Sequence, residues 1–375
     1  MHIHHHPLRS PSLGSQRTVT SFHFGPAGQG EKVYIQASLH ADELPGMLVA
    51  WHLKQQLSSL EDAGRLLGEI VLVPAANPIG LNQNQSQNLL GRFELQSGQN
   101  FNRHYPQLAQ GIYPDIRAAL GQDATANTAL IRRHMQQYLN RLQPETELQS
   151  LRLTLHKLAV DADVVLDLHC DFRAALHVYT GTPLWPQCEP LARYLGASAS
   201  LLATESGDQP FDEACSQPWW QLRELLAADG LSANIALSCL AVTVELRGQH
   251  EVNHALARQD AEGILNFLRL RGVVDEPVPP LPELPYPATP LAGSEDLFAP
   301  QAGVVVYHAE PGHAVKRGDL IAEIIDPISD QTSEVRANRG GMLYATSHRT
   351  YATAGMGIAK VASADTFKTG KLLTA

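Results

Sequence analysis

Positive charge is scarce in this sequence. The 375 residues hold 28 Lys and Arg against 38 Asp and Glu, a net charge of −10. A nucleic-acid grip or an anionic-membrane surface needs clustered positive charge, so the balance argues against both partners. Long apolar runs are missing too: none approaches the roughly 18 residues that a membrane helix needs. The first 30 residues are polar and show no signal-peptide core. Cysteine is sparse. Cys170, Cys188, Cys215 and Cys239 stand apart and form no C-x-x-C pair, so a reduced, cytoplasmic setting is expected. Internal repeats are absent. Histidine, by contrast, is plentiful, with 17 residues. Four of them fall in the first six positions. That stretch reads as part of a flexible terminus over residues 1–20 and stays outside the site argument.

The apolar share of 44% can build a sizeable core. Residues 277–290 carry seven prolines in fourteen positions. Proline removes backbone donors and fixes φ, so this stretch predicts a stiff, extended linker. It divides a unit over 1–276 from one over 291–375. Upstream, strand candidates at 32–39, 69–74, 163–168, 175–179 and 241–246 are near-continuous apolar runs, as expected for strands covered on both faces. Helical patterns at 46–60, 128–142, 219–228 and 255–270 lie between or after them. The alternation predicts a mixed, largely parallel α/β sheet with helices on both faces. Downstream, short β runs with Gly and Asp turns and no helical period predict a small all-β domain.

Three places could hold a metal. His40-Ala41-Asp42-Glu43 directly follows the first strand candidate. H-x-x-E is weak evidence alone, but ligands of open α/β sheets bind beyond the carboxyl ends of strands. Asp167-Leu168-His169 ends another strand. Two imidazoles and one carboxylate, with a position left open, make a catalytic zinc set. The third place, His250-Glu251-Val252-Asn253-His254, fits H-E-x-x-H. That motif needs both His on one continuous helix. Asn253 looks like the cap of the next helix, which leaves His250 outside it.

Asn100-Phe101-Asn102-Arg103 lies between strands, with Gly91-Arg92 upstream. An Asn-Arg pair can hold a carboxylate; an ordinary polar loop is the alternative. Glu245 sits in the otherwise apolar run 241–246. A Glu there costs several kcal/mol unless it has a partner or a task. General-base work beside a metal is one such task; a buried ion pair is the other reading. Strand alternation puts Arg247 on the face of Glu245. It is expected to reach the cleft and meet a second anionic group on a substrate. Pairing with Glu245, or a solvated strand end, are the competing readings.

H-x-x-E, an N-x-N-R loop, D-L-H and a strand Glu, in that order over residues 30–270, resemble the carboxypeptidase A-like zinc hydrolases. The closest likeness is to the succinylglutamate desuccinylase/aspartoacylase family. By that resemblance His40, Glu43 and His169 would bind one zinc. Glu245 would be the general base acting on a zinc-activated water. Arg92 would hold the oxyanion, and Asn102 and Arg103 would clamp the substrate carboxylate. Related sequences often carry Asp where Asn100 stands. The Asp would orient a zinc-ligating His; an amide oxygen can accept the same hydrogen bond but brings no charge. The C-terminal unit resembles the biotinyl/lipoyl barrel-sandwich, without the hairpin lysine of a swinging arm, so a structural or gating role is expected.

The first functional expectation is therefore a deacylase of small N-acyl amino acids. A zinc carboxypeptidase for short peptides is the alternative. A binding module with a decayed metal site is a third reading, which the intact His40, Glu43, His169 and Glu245 oppose. A homo-oligomeric state is left open.

Overall fold

The computed structural model describes residues 1–373. Among them, one sheet is built from β1 (His2–Pro7), β2 (Thr18–Phe24), β3 (Lys32–Ala37), β4 (Glu69–Val73), β5 (Val164–Asp171), β6 (His177–Gly181), β7 (Ala199–Ala203), β8 (Leu240–Gly248) and β9 (Thr289–Pro290). Their order is β1-β2-β4-β3-β5-β8-β6-β7-β9. The centre, β4-β3-β5-β8, is parallel. Strands β2 and β6 join it antiparallel, one on each side. This is the mixed, largely parallel sheet expected from the alternating pattern.

Helices α1 (Pro45–Asp62), α2 (Leu108–Ile116), α3 (Ala124–Arg141), α4 (Glu147–Ala159), α5 (Trp185–Leu195), α6 (Phe211–Ala228) and α7 (His254–Leu270) cover the sheet. Alternate strand residues decide which helices pack where. Val33, Ile35 and Leu166 point to one face and meet Leu53, Leu191 and Ile264 of α1, α5 and α7. Tyr34, Val71 and Val165 point to the other and meet Ile112, Leu139, Leu151 and Trp219 of α2, α3, α4 and α6. Each such aliphatic side chain taken from water contributes about 1.5–3 kcal/mol.

Two expectations need correction. Residues 1–20 do not form a loose tail: β1 pairs with β2 from His2↔His23 to Pro7↔Thr18, and Leu8 and Val19 are buried in the core. Leu8, just after β1, and Val19, paired with His6, anchor the carboxyl end of the polar strand. The helix expected from residue 219 starts at Phe211, with Pro218 inside it. Pro190 and Pro114 likewise lie inside α5 and α2. Proline ends a helix in isolation, but here packing of the apolar face overrides that cost.

Beyond residue 290 the chain forms two small sheets. Ser294–Phe298, Gly357–Ala362, Gly341–Thr346 and His313–Val315 make one; Gln331–Arg336, Leu320–Asp326, Gly303–Tyr307 and Tyr351–Ala352 make the other. They enclose Ile321, Ile324, Leu343 and Val361. This β unit is stitched to the α/β unit. Arg173–Ala174 pairs with the strand Gly341–Thr346, and β9 extends the large sheet beside β7. Tyr194 Oη donates to Pro279 O at 2.8 Å and so pins the proline-rich segment.

Lys360 Nζ also crosses the junction and donates to Asp171 Oδ2 at 2.9 Å. Burial alone would raise the Asp171 carboxyl, but the Lys360 ammonium holds it down at about 2. A depressed carboxylate stabilises the fold above its unfolded pKa near 4, and that contribution is lost as pH falls towards 2. Lys360 keeps 34% of its side chain exposed, so screening cuts the contribution to about 1 kcal/mol. Lys360→Met is expected to lower Tm by about 2–4 °C at pH 7. The gap from wild type should close between pH 4 and pH 2, as followed by circular dichroism; a constant gap would show that the pair contributes nothing.

Candidate active site

The chain turns sharply after β3. Ser38 takes a left-handed conformation, φ 64°, and the Glu43 N–H donates to His40 O at 3.1 Å. Helix α1 starts two residues later, at Pro45. The turn folds His40 and Glu43 back over the strand ends, beside His169 of β5. All three side chains are buried. Glu43 lies between the two rings, with His40 Nδ1 2.9 Å from Oε1 and His169 Nδ1 2.8 Å from Oε2. One ligand atom from each residue falls within 4.8 Å of the others, a cluster that could hold a metal ion.

Hydrogen bonding fixes the His40 tautomer. Asn100 Oδ1 accepts the Asn102 N–H at 2.8 Å, so the same oxygen accepts from His40 Nε2, also at 2.8 Å. A neutral His40 then turns the Nδ1 lone pair towards Glu43. Burial, followed by the Arg92 charge, pushes His40 down to about 4, so the neutral form dominates. Two acceptors facing each other at 2.9 Å are what a shared cation resolves. On the other side, His169 Nε2 lies 2.9 Å from Asp167 Oδ2, poorly aligned for a hydrogen bond. Burial opposes a charge on His169, but Asp167 and Glu43 raise its pKa well above the ordinary value. The donor set fits zinc: two imidazoles and a carboxylate, each ring backed by an oxygen.

Arg92 reaches the cluster by a close backbone approach. Gly91 O accepts the Ala41 N–H at 3.0 Å. A Cβ at Gly91 would sit 2.0 Å from Asp42 N, so only glycine fits. Arg92 Nη2 then donates to Glu43 Oε1 at 3.1 Å. Asn102 and Arg103 lie at the mouth of α6: Asn102 Oδ1 accepts the Phe211 N–H at 2.8 Å, and Arg103 Nη1 donates to Asn102 O at 2.7 Å. Strand β8 carries Glu245 directly opposite His169 of β5. Glu245 Oε2 is buried with no hydrogen-bond partner. Burial, then the nearby Glu43 charge, pushes this carboxyl up to about 8. These residues line one cleft, together with Asp212, Glu213 and Lys360.

Arg247 is the exception. Its φ of 67° coincides with a break in the β8–β5 register between Glu245 and Gly248. The alternation that would put it beside Glu245 stops there. Its Nη1 and Nη2 instead donate to both Asp260 oxygens on α7, each at 2.8 Å. The expected placement in the cleft is therefore corrected. The H-E-x-x-H segment also forms no site: Asn253 Oδ1 accepts the Leu256 N–H at 3.0 Å as the cap of α7, and His254 meets His52 Nε2 at 3.0 Å.

Sequence reasoning passed over Lys360, Asp212 and Glu213. Lys360 sits in the apolar run Gly357–Ala362, and the test that singled out Glu245 would have found it. Asp212 and Glu213 precede a helical run and read as ordinary first-turn acids.

A mixed sheet with a buried His-Glu-His set over its strand ends, a carboxyl on the next strand and an arginine at the cluster is the class of α/β fold with a candidate metal site that the sequence led us to expect. Within that class, the chain belongs to the succinylglutamate desuccinylase/aspartoacylase family, whose catalytic-domain model matches residues 29–130 and 123–271. A protein of this family from Shewanella amazonensis SB2B is 28% identical, with a TM-score of 0.85 over 96% of this chain and 98% of that one. One from Shewanella frigidimarina NCIMB 400 is 26% identical, with a TM-score of 0.83 over 96% of each chain. The ectoine utilization protein EutE (DoeB) from Ruegeria pomeroyi shares the fold at 17% identity, with a TM-score of 0.65 over 96% of this chain and 95% of that one. No curated protein matches the chain. Among the described residues, no helix is long and apolar enough to cross a membrane.

The Arg247–Asp260 pair is largely buried, so removing one partner strands a charge. Asp260→Ala is expected to destabilise by about 3 kcal/mol in urea unfolding. Arg247→Ala should destabilise without changing the relative kcat/KM for acidic and neutral substrates. A changed ratio would return Arg247 to the cleft.

Proposed function

We propose that the protein is a zinc-dependent hydrolase that cleaves the amide bond of a small N-acyl amino acid. The observation that carries this reading is the Glu245 carboxyl, whose Oε2 is buried without a hydrogen-bond partner, on a residue paired by strand register with His169 of the His40–Glu43–His169 set. Zinc held by those three residues would supply a Lewis acid and make water a nucleophile near neutral pH.

The rest follows from the chain's own groups. Glu245 takes the proton of the attacking water and delivers it to the leaving amine nitrogen, as base and then acid. A neighbouring cation reverses part of the upward push on its pKa and favours the ionised, basic form. Arg92 holds the oxygen of the scissile carbonyl as negative charge develops on it. Asn102, whose oxygen is taken by Phe211, offers its NH2 to the substrate α-carboxylate. Arg103 offers its guanidinium to the same group. The β unit brings Lys360 and Leu291 to the cleft wall, and this roof favours short acyl amino acids over long peptides.

Metal analysis tests the ligand set. His169→Ala should lose bound zinc, whereas His254→Ala should keep it. Asn100→Asp should tighten zinc binding by about 10-fold, because a charged acceptor replaces the amide behind His40. Full occupancy in His169→Ala would place the metal elsewhere. The reaction is tested by screening acetyl, succinyl, formyl and aspartyl amides with zinc-loaded enzyme. Glu245→Gln should retain fold and zinc while kcat falls by about 10²–10⁴. Near-normal kcat in that variant would remove Glu245 from the mechanism.

A further inference from the structure

One wall of the cleft has no role in the reaction described above. Asp212 and Glu213 stand in the first turn of α6, each only 8% exposed, and line the cleft with Arg103 and Ser206. First-turn acids are common because they complement the helix dipole, but such residues are normally solvated. Two adjacent carboxyls kept from water need a better reason. Burial pushes Asp212 up to about 6, with Asp167 adding to it. Burial pushes Glu213 up to about 8, with Asp212 adding to it.

The hydrogen bonds show what the wall lacks. Glu213 Oε1 accepts the Ser206 N–H at 2.6 Å, and Oε2 accepts from Gln217 Nε2 at 2.8 Å. These bonds aim the carboxyl without neutralising it. Ser206 is 3% exposed, and its Oγ has no hydrogen-bond partner. A buried hydroxyl without a partner costs about 1–3 kcal/mol, and this one belongs to the cleft lining. A cation entering here would draw both carboxyls into their ionised form, in which they and the hydroxyl oxygen can all accept. Their natural complement is a group that only donates: a primary ammonium has three N–H donors and no acceptor.

Arg103 fixes where such a group would come from. It shares the cleft with the acid pair and feels the charge of Asp212 and Glu213. A substrate whose α-carboxylate meets Arg103 has its side chain attached one carbon away. We propose that Asp212, Glu213 and Ser206 form a subsite for a cationic side chain, so that the substrates are Nα-acyl amino acids ending in a primary amine. This rests on the hydrolase reading and narrows it.

The test uses zinc-loaded, full-length enzyme with Nα-acetyl-L-ornithine, its neutral isostere Nα-acetyl-L-norleucine, and Nα-acetyl-L-glutamate. The expected order of kcat/KM is ornithine over norleucine by at least about 10-fold, the scale of one charge-assisted hydrogen bond, with glutamate last. Glu213→Gln should collapse the ornithine-to-norleucine ratio towards one. Ser206→Ala, a small change that keeps the fold, should lower it by about 3-fold. Binding of free ornithine and free norleucine by calorimetry runs alongside and does not depend on the acyl group. Loss of all turnover with ornithine still bound about 10-fold more tightly would sink the hydrolase reading and leave the subsite standing. Equal binding of the two amino acids, or a ratio unchanged in Glu213→Gln, would overturn the subsite.

Discussion

One carboxylate organises this molecule. Glu43 sits between two imidazoles, and its buried charge meets His169, the Arg92 guanidinium and the Cys170 N–H. Burial opposes that charge, yet the two rings hold Glu43 well below the usual carboxylate range. The contact demands that the turn after β3 and the end of β5 lie side by side. Parallel pairing of β3 with β5, through Ala37↔Leu168, meets that demand. Parallel pairing of β5 with β8 then sets Glu245 against His169. Three strands far apart in sequence are thus adjacent in the sheet, and their carboxyl ends share one floor.

The two imidazoles are not equivalent. His40 is backed by a neutral amide, Asn100, and His169 by a carboxylate, Asp167. The first ring is pushed towards its neutral form and the second towards its cation. Asn100 is itself held from behind, since Arg152 Nη2 donates to Asn100 O at 2.7 Å. Its Nδ2, however, is buried without a partner. An Asp at that position would carry a second oxygen in place of the unsatisfied NH2. The asymmetry follows from burial and the Arg92 charge acting on one ring and from the Asp167 and Glu43 charges acting on the other.

The parts of this structure that were legible in the sequence are those where local pattern and tertiary packing agree. Apolar runs such as residues 163–168 could be little other than buried strands, and chemistry-bearing residues at their ends stood out against that background. The misreadings have separate causes. Pro218 conceals the first half of α6 because a local rule cannot see the packing that tolerates it. Arg247 was placed by a period of two that a left-handed residue interrupts. Helix α4 was missed although Thr146 caps it by accepting the Gln149 N–H at 3.1 Å, a start signal that can be read from sequence. Polar β1 carries no apolar alternation and is ordered only by its neighbour. The acid pair on α6 was invisible because burial depends on distant parts of the chain.

The stitching of the β unit to the large sheet has a consequence for how the protein comes into being. His40, Glu43, His169 and Glu245 all emerge from the ribosome before Lys360, and the strand that carries Lys360 is the last in the described chain. Domains tend to fold as they are synthesised, amino-terminal portions first. A nascent chain can therefore assemble its ligand cluster while the cleft still lacks a wall, with β7 an unprotected margin awaiting β9. Such margins invite mispairing with other chains. The segments that cover that edge and close the cleft both lie in the later-made part of the chain, so the interval before they dock is the one in which the young protein is most open to mispairing.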